Sequence, residues 1–102
     1  MRMKEIADWR LKIDEVDAEI LQLLNKRAGF TVAIGHIKRK FDMPIYDPAR
    51  EKKILHALAE KNPGPLSEKA IQRLFERIID ESRQLEKHAS LGLGDDMSNK
   101  EE

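Results

Sequence analysis

The 102-residue sequence contains no cysteine. Disulfides, thiolate metal sites and a cysteine nucleophile are therefore excluded. It also has no excess of either charge, since Lys+Arg and Asp+Glu both count 19. No overall field draws it to nucleic acid, and no nucleic-acid partner is expected. No apolar run approaches the roughly 20 residues needed to span a bilayer, so no membrane role is expected. Met1 to Ile6 hold no apolar signal core, and the expected location is the cytoplasm. Clusters of β-branched residues with period-two alternation are missing, so no strand is expected. Neither a phosphate-cradling glycine loop nor a dinucleotide fingerprint occurs. His36, His56 and His88 lack metal-ligand spacing, and no serine–histidine–acid set stands out. No metal and no cofactor are expected.

What the sequence does have is charge laid over helical periodicity. Charged residues make up 37% and aromatics only 5%, which fits one all-α domain. Ile6, Trp9, Ile13, Val16, Ile20, Leu23, Arg27, Phe30, Ile34, Ile37 and Phe41 follow one another at steps of three or four. That seam predicts one very long first helix, starting near Glu5 to Asp8 and running to Lys40. Roughly 35 helical residues would span about 52 Å, whereas a compact chain of this size has a radius of gyration of about 13 Å. The remaining chain cannot wrap such a helix. The seam is therefore expected to be buried partly by a second copy, in a two-fold homodimer with the long helices packed together. The alternative is a break at Gly29 or Gly35 and a monomer of three or four helices. Against it, the seam continues in register past both glycines, and each costs a helix only about 1 kcal/mol. A small residue there also makes room for a ligand or a close helix.

Pro44 marks a break after the long helix. Asp47-Pro48 reads as N-cap and first helical residue of a second helix, Pro48 to Lys61. Its apolar side is Ile54, Leu55 and Leu58, and Glu51 shares that face. Asn62-Pro63-Gly64-Pro65 is a loop. Ser67 caps a third helix running to about His88, with apolar positions including Ile71, Phe75, Ile78, Ile79 and Leu85. The expected divisions are a frayed N-terminus at 1–4, a helical domain at 5–89 and a mobile tail at 90–102.

Four residues interrupt otherwise apolar faces: Arg27, Glu51, Ser82 and Glu86. They either satisfy one another, for example Arg27 with Glu51, or line a polar cavity between the helices. A guanidinium cannot shed its charge, so Arg27 at a buried seam needs an anion. Lys38 follows Arg27 by 11 residues, about 20° off the same face and roughly 16.5 Å along the axis. Arg10 lies about 25 Å along the axis from Arg27, too far to share a small ligand within one chain. In an antiparallel pairing, Arg10 of the partner subunit reaches it. Two arginines and a lysine suit a compact dianion carrying carboxylates. An enzyme built this way would work by electrostatics and by holding one conformer.

At this point the sequence resembles the all-helical, type II chorismate mutases over roughly residues 5–89. The likeness rests on Trp9-Arg10-Leu11-Lys12-Ile13-Asp14, then Asp17, Leu21 and Leu24. It continues with Lys26-Arg27, Ile34-Gly35-His36-Ile37-Lys38 and Pro44-Ile45-Tyr46-Asp47-Pro48-Ala49-Arg50-Glu51. Leu74-Phe75, Ile78-Ile79 and Ser82 complete it. The Asn62-Pro63-Gly64-Pro65-Leu66 loop is similar to versions of this domain fused to other aromatic-biosynthesis enzymes.

The resemblance implies three helices in an intertwined homodimer with two equivalent sites. It implies an intramolecular Claisen rearrangement of chorismate to prephenate, towards phenylalanine and tyrosine. Arg10 of the partner subunit and Arg27 would bind the two substrate carboxylates. Lys38 would contact a carboxylate and the ether oxygen. Asp47, Arg50 and Glu51 match positions near the ring hydroxyl, and Ser82 a position at the ring carboxylate. Many members carry glutamine where this chain has Glu86. A carboxylate there would repel the developing oxyanion, so Glu86 is expected to act as a neutral acid, with Lys38 and Glu86 the pair at the ether oxygen. Two other functions share these features: an isochorismate-pyruvate lyase on the same fold, and a non-catalytic regulatory helical dimer of the shikimate pathway. Association with another enzyme of that pathway is a further expectation.

Overall fold

The computed structural model describes residues 2–92. Three helices account for most of them: α1 (Arg2–Lys40), α2 (Pro48–Lys61) and α3 (Glu68–Ser90). There is no strand among the described residues. No helix among them is long and apolar enough to cross a membrane. Residues 93–102, most of the expected tail, lie outside the described residues.

The helix ends follow local chemistry. α1 begins at Arg2, earlier than the expected start and within the stretch expected to fray. Arg2, Met3, Lys4 and Glu5 are all good helix formers, and no Pro, Gly or cap residue among them fixes a later start. α1 ends in a Schellman arrangement, in which the Met43 N–H donates to the Lys38 carbonyl at 2.8 Å and the Asp42 N–H to that of Arg39 at 3.3 Å. Asp42 occupies the left-handed position, φ 52°, which a short polar side chain tolerates better than most. Asp47 caps α2 by accepting the Arg50 N–H at 3.1 Å, with Pro48 behind it. Ser67 caps α3 in the same way through the Ala70 N–H at 3.1 Å. α3 runs past His88 to Ser90, and Gly92, at φ 79°, supplies its left-handed stop.

The described residues form two compact units, 2–30 and 31–92. The first is one helical segment of α1. Its Ile6, Trp9, Ile13, Val16, Ile20 and Leu23 are all exposed, between 47% and 64%. A single helix has nothing of its own to bury such a stripe against.

The second unit packs the last turns of α1, together with α2, against α3. Its buried residues are few: Thr31, Gly35, Ile79 and Ala89. Ile54, Leu55 and Leu58 of α2 and Ile71, Phe75 and Ile78 of α3 are half-buried. Gly35 sets the separation of α1 and α3. A Cβ on it would lie 2.7 Å from the Glu86 carbonyl oxygen and 2.8 Å from the Ala89 Cβ. The first neighbour is helix backbone, which cannot turn aside.

Gly35→Ala should therefore destabilise the protein. Forcing α3 outward costs about 1–3 kcal/mol, and the better helix propensity of alanine returns about 1 at most. Urea unfolding of the two proteins would show it as a lower midpoint. An unchanged or higher midpoint would mean that α3 does not sit this close.

Candidate functional site

Lys38 lies one turn beyond Gly35 on α1. The glycine lets α3 approach at Glu86, and the two charged side chains meet there. The Lys38 ammonium forms an ion pair with Oε1 of Glu86, and each side chain is only 14% exposed. The ammonium also donates to the Ile45 carbonyl at 3.1 Å. An ammonium has three N–H groups. The third has no acceptor among the described residues. A half-buried cation with a donor to spare can stabilise negative charge that develops on a ligand atom.

Lys38 is held by the chain that follows it. Its carbonyl accepts from the Met43 N–H, and its side chain reaches Ile45. Residues 41–47 thus fold back over the end of α1 and carry Tyr46 and Asp47 to the same unit. Oδ1 of Asp47 is occupied as the α2 cap. Arg50 is exposed, and its side chain has no partner among the described residues.

Ser82 lies four residues before Glu86 and is half-buried. Its hydroxyl donates to the Ile78 carbonyl at 2.8 Å. Glu51, one turn into α2, has a cationic partner absent from the expected site residues. Nη2 of Arg83 donates to both of its carboxylate oxygens, at 2.8 and 2.7 Å. Nη1 of Arg83 lies 3.6 Å from Asp80, and the guanidinium sits over the Tyr46 ring at 4.9 Å from its centre. The hydrogen bond to Glu51 and then the charges of Glu51 and Asp80, opposed by partial burial, push the Arg83 guanidinium above its usual range. It is cationic at every working pH. A sequence signal for Arg83 existed. It falls four residues after Ile79 and three before Glu86, the same relation that singled out Glu51.

Arg10 and Arg27 belong to residues 2–30. Arg10 is exposed and Arg27 partly so. His56 is exposed and pairs with Glu60 at 3.0 Å. No group of three or more histidine or acidic side chains suited to a metal ion occurs among the described residues. In residues 31–92 the arrangement thus offers a poised cation, an acid against it, a hydroxyl one turn away and a fixed carboxylate. Such a set can bind and polarise an anionic molecule.

Comparison with known proteins bears on what that molecule is. A family described as chorismate mutase type II matches residues 9–87. A bifunctional chorismate mutase/prephenate dehydratase of Aquifex aeolicus is 37% identical over 89 residues, covering 83% of this chain and 25% of the relative. One from Neisseria gonorrhoeae is 40% identical over 78 residues, covering 76% and 21%. The chain thus spans a quarter or less of these two bifunctional relatives. A chorismate mutase of Methanocaldococcus jannaschii is 30% identical over 86 residues, covering 83% of this chain and 87% of that protein. Among solved structures, a chorismate mutase from Thermus thermophilus superposes with a TM-score of 0.80 at 37% identity, covering 81% of this chain and 94% of the other.

Proposed function

This chain belongs to the type II chorismate mutases, a family of isomerases, and from that premise we propose that it converts chorismate to prephenate on the route to phenylalanine and tyrosine. The observation that carries the reading is Lys38. It is half-buried, oriented by Ile45 and Glu86, and keeps one N–H for a further acceptor.

The reaction is intramolecular. The ether C–O bond breaks as a C–C bond forms through one cyclic shift of electrons. No proton is transferred to carbon, and no nucleophile or cofactor is needed. What the protein must supply is a folded, chair-like substrate and a complement to the negative charge growing on the ether oxygen. Lys38 provides the second. Arg27 and Arg10 of the partner subunit hold the two carboxylates. Ser82 turns its hydroxyl to the ring carboxylate, while Asp47, Arg50 and Glu51 surround the ring hydroxyl. The uncovered apolar stripe on residues 2–30 supports a homodimer joined through α1, because a second copy covers it and delivers Arg10. We assign the protein to the cytoplasm. The names of the bifunctional relatives join this reaction to prephenate dehydratase, which fits prephenate passing to a following enzyme of the same pathway.

Glu86 is the ion-pair partner of Lys38 in the free protein; with chorismate bound it takes up a proton and donates, as a neutral acid, to the ether oxygen beside Lys38. A carboxylate in that place would oppose the charge that forms.

Purified protein should consume chorismate and release prephenate, and it should release no salicylate from isochorismate. Salicylate release without prephenate formation would replace the mutase by the lyase. Lys38→Ala should lower kcat by about 10²–10³-fold, the usual effect of losing a donor at a developing oxyanion.

The shared site has its own test. Arg10→Ala should be inactive yet dimeric by sedimentation. Mixed one to one with Lys38→Ala and allowed to exchange subunits, it should recover about a quarter of wild-type activity, because half of the dimers then hold one intact site. No recovery after verified exchange would rule out a site built from two chains.

A third outcome concerns Glu86. Glu86→Gln, whose amide N–H can donate to the ether oxygen from the same place, should keep kcat near wild type, whereas Glu86→Ala should lower it about 10²-fold. A Glu86→Gln variant as weak as Glu86→Ala would contradict a donor role.

A further inference from the structure

We propose that Arg83 is a positioning residue that fixes the Glu51 carboxylate for the ring hydroxyl of the substrate. The inference rests on the reading above that Glu51 meets that hydroxyl.

Arg83 is restrained on three sides by three segments. Nη2 bridges both oxygens of Glu51 on α2. Nη1 faces Asp80, one turn earlier on α3. The guanidinium plane lies over Tyr46 of the 41–47 connector. A planar, always charged fork held in this way has few alternative placements. Glu51 has three rotatable side-chain bonds and would otherwise sample several. The pair is a poor candidate for a stability device. The Arg83 and Glu51 side chains are 36% and 25% exposed, and water screens much of the attraction at such sites. Its use is geometric. A carboxylate has about four lone-pair sites, and one arginine nitrogen takes one from each oxygen. Lone pairs on both oxygens are left for an incoming hydroxyl hydrogen, and the carboxylate cannot swing away from it.

This predicts which kinetic constant responds. The ring hydroxyl takes no part in the bonds that break and form. A contact to it is made equally in the ground state and the transition state, so its loss raises KM and leaves kcat nearly unchanged.

The test is a double-mutant cycle on steady-state kinetics with chorismate. It compares wild type, Arg83→Met, Glu51→Gln and the double variant, with Arg83→Lys alongside, each assayed below its unfolding midpoint. Arg83→Met should raise KM about tenfold with kcat within about twofold. Arg83→Lys, which keeps the charge but not the fork, should recover part of the loss. In the Glu51→Gln background, Arg83→Met should change KM less than about twofold, because its target is already gone. Equal factors in both backgrounds would overturn the proposal. So would a loss confined to kcat, or an unchanged KM with only a lower unfolding midpoint. Should wild type turn over chorismate while Glu51→Gln behaves identically, this inference fails alone. Should wild type fail to turn it over, the functional reading and this inference fall together.

Discussion

The close approach of α3 to α1 at Gly35 is the constraint on which the rest of residues 31–92 depends. Side chains of ordinary size would hold the helices apart by the thickness of a methyl group or more. Here a backbone carbonyl and an alanine methyl occupy that space instead. The contact falls at Glu86 and Ala89, so it fixes the height of Glu86 relative to α1. Lys38, one turn further along, meets its carboxylate as a result. The core around this contact is thin, with Ile79 and Ala89 the buried hydrophobic residues among those described. Packing therefore serves less to build a large interior than to bring a few polar groups to defined heights.

Polar groups in this unit divide by what restrains them. Asp47 and Ser67 cap helices through one short hydrogen bond each. Their chemistry is spent on the backbone, although Asp47 keeps a second oxygen. Ser82 bonds back to the Ile78 carbonyl, a contact a hydroxyl gives up readily by rotating. Lys38 and Arg83 are different. Each is gripped by groups from separate segments, with ordering that exposed cations do not have. Exposed Lys and Arg gain little from a single partner, because side-chain entropy offsets the attraction. Ordering of this kind suits a site that must meet its ligand without rearranging.

Much of the fold was legible because the chain punctuates itself. Asp47-Pro48 and Asn62-Pro63 bracket α2, and its observed ends coincide with those signals. Ser67 did the same for the start of α3. At its other end α3 runs past the expected His88 to Ser90, because the left-handed stop is supplied only at Gly92. Arg2 to Glu5 carry no punctuation at all, so the start of α1 had nothing to fix it. For the site, periodicity picked out Glu51, Ser82 and Glu86, since an acid or hydroxyl on an apolar face is conspicuous. Arg83 escaped because a long basic side chain near a helix end is ordinarily solvated. The Ile45 carbonyl could not be found, since a backbone acceptor has no side-chain signature. The meeting of Lys38 with Glu86 came from family resemblance rather than from spacing, because spacing alone does not say which turns of two helices face each other.

Lys38 is tied at both ends to the residues that follow it, and this limits how the chain can change. Surface connections ordinarily accept insertions and deletions. The 41–47 connector does not have that freedom. Its Met43 N–H must return to the Lys38 carbonyl, and its Ile45 carbonyl must arrive at the Lys38 ammonium. One residue more or less between them shifts both contacts at once, and with them the cap of α2. Length variation is therefore restricted in the connector after α1, where residue count itself is part of the site.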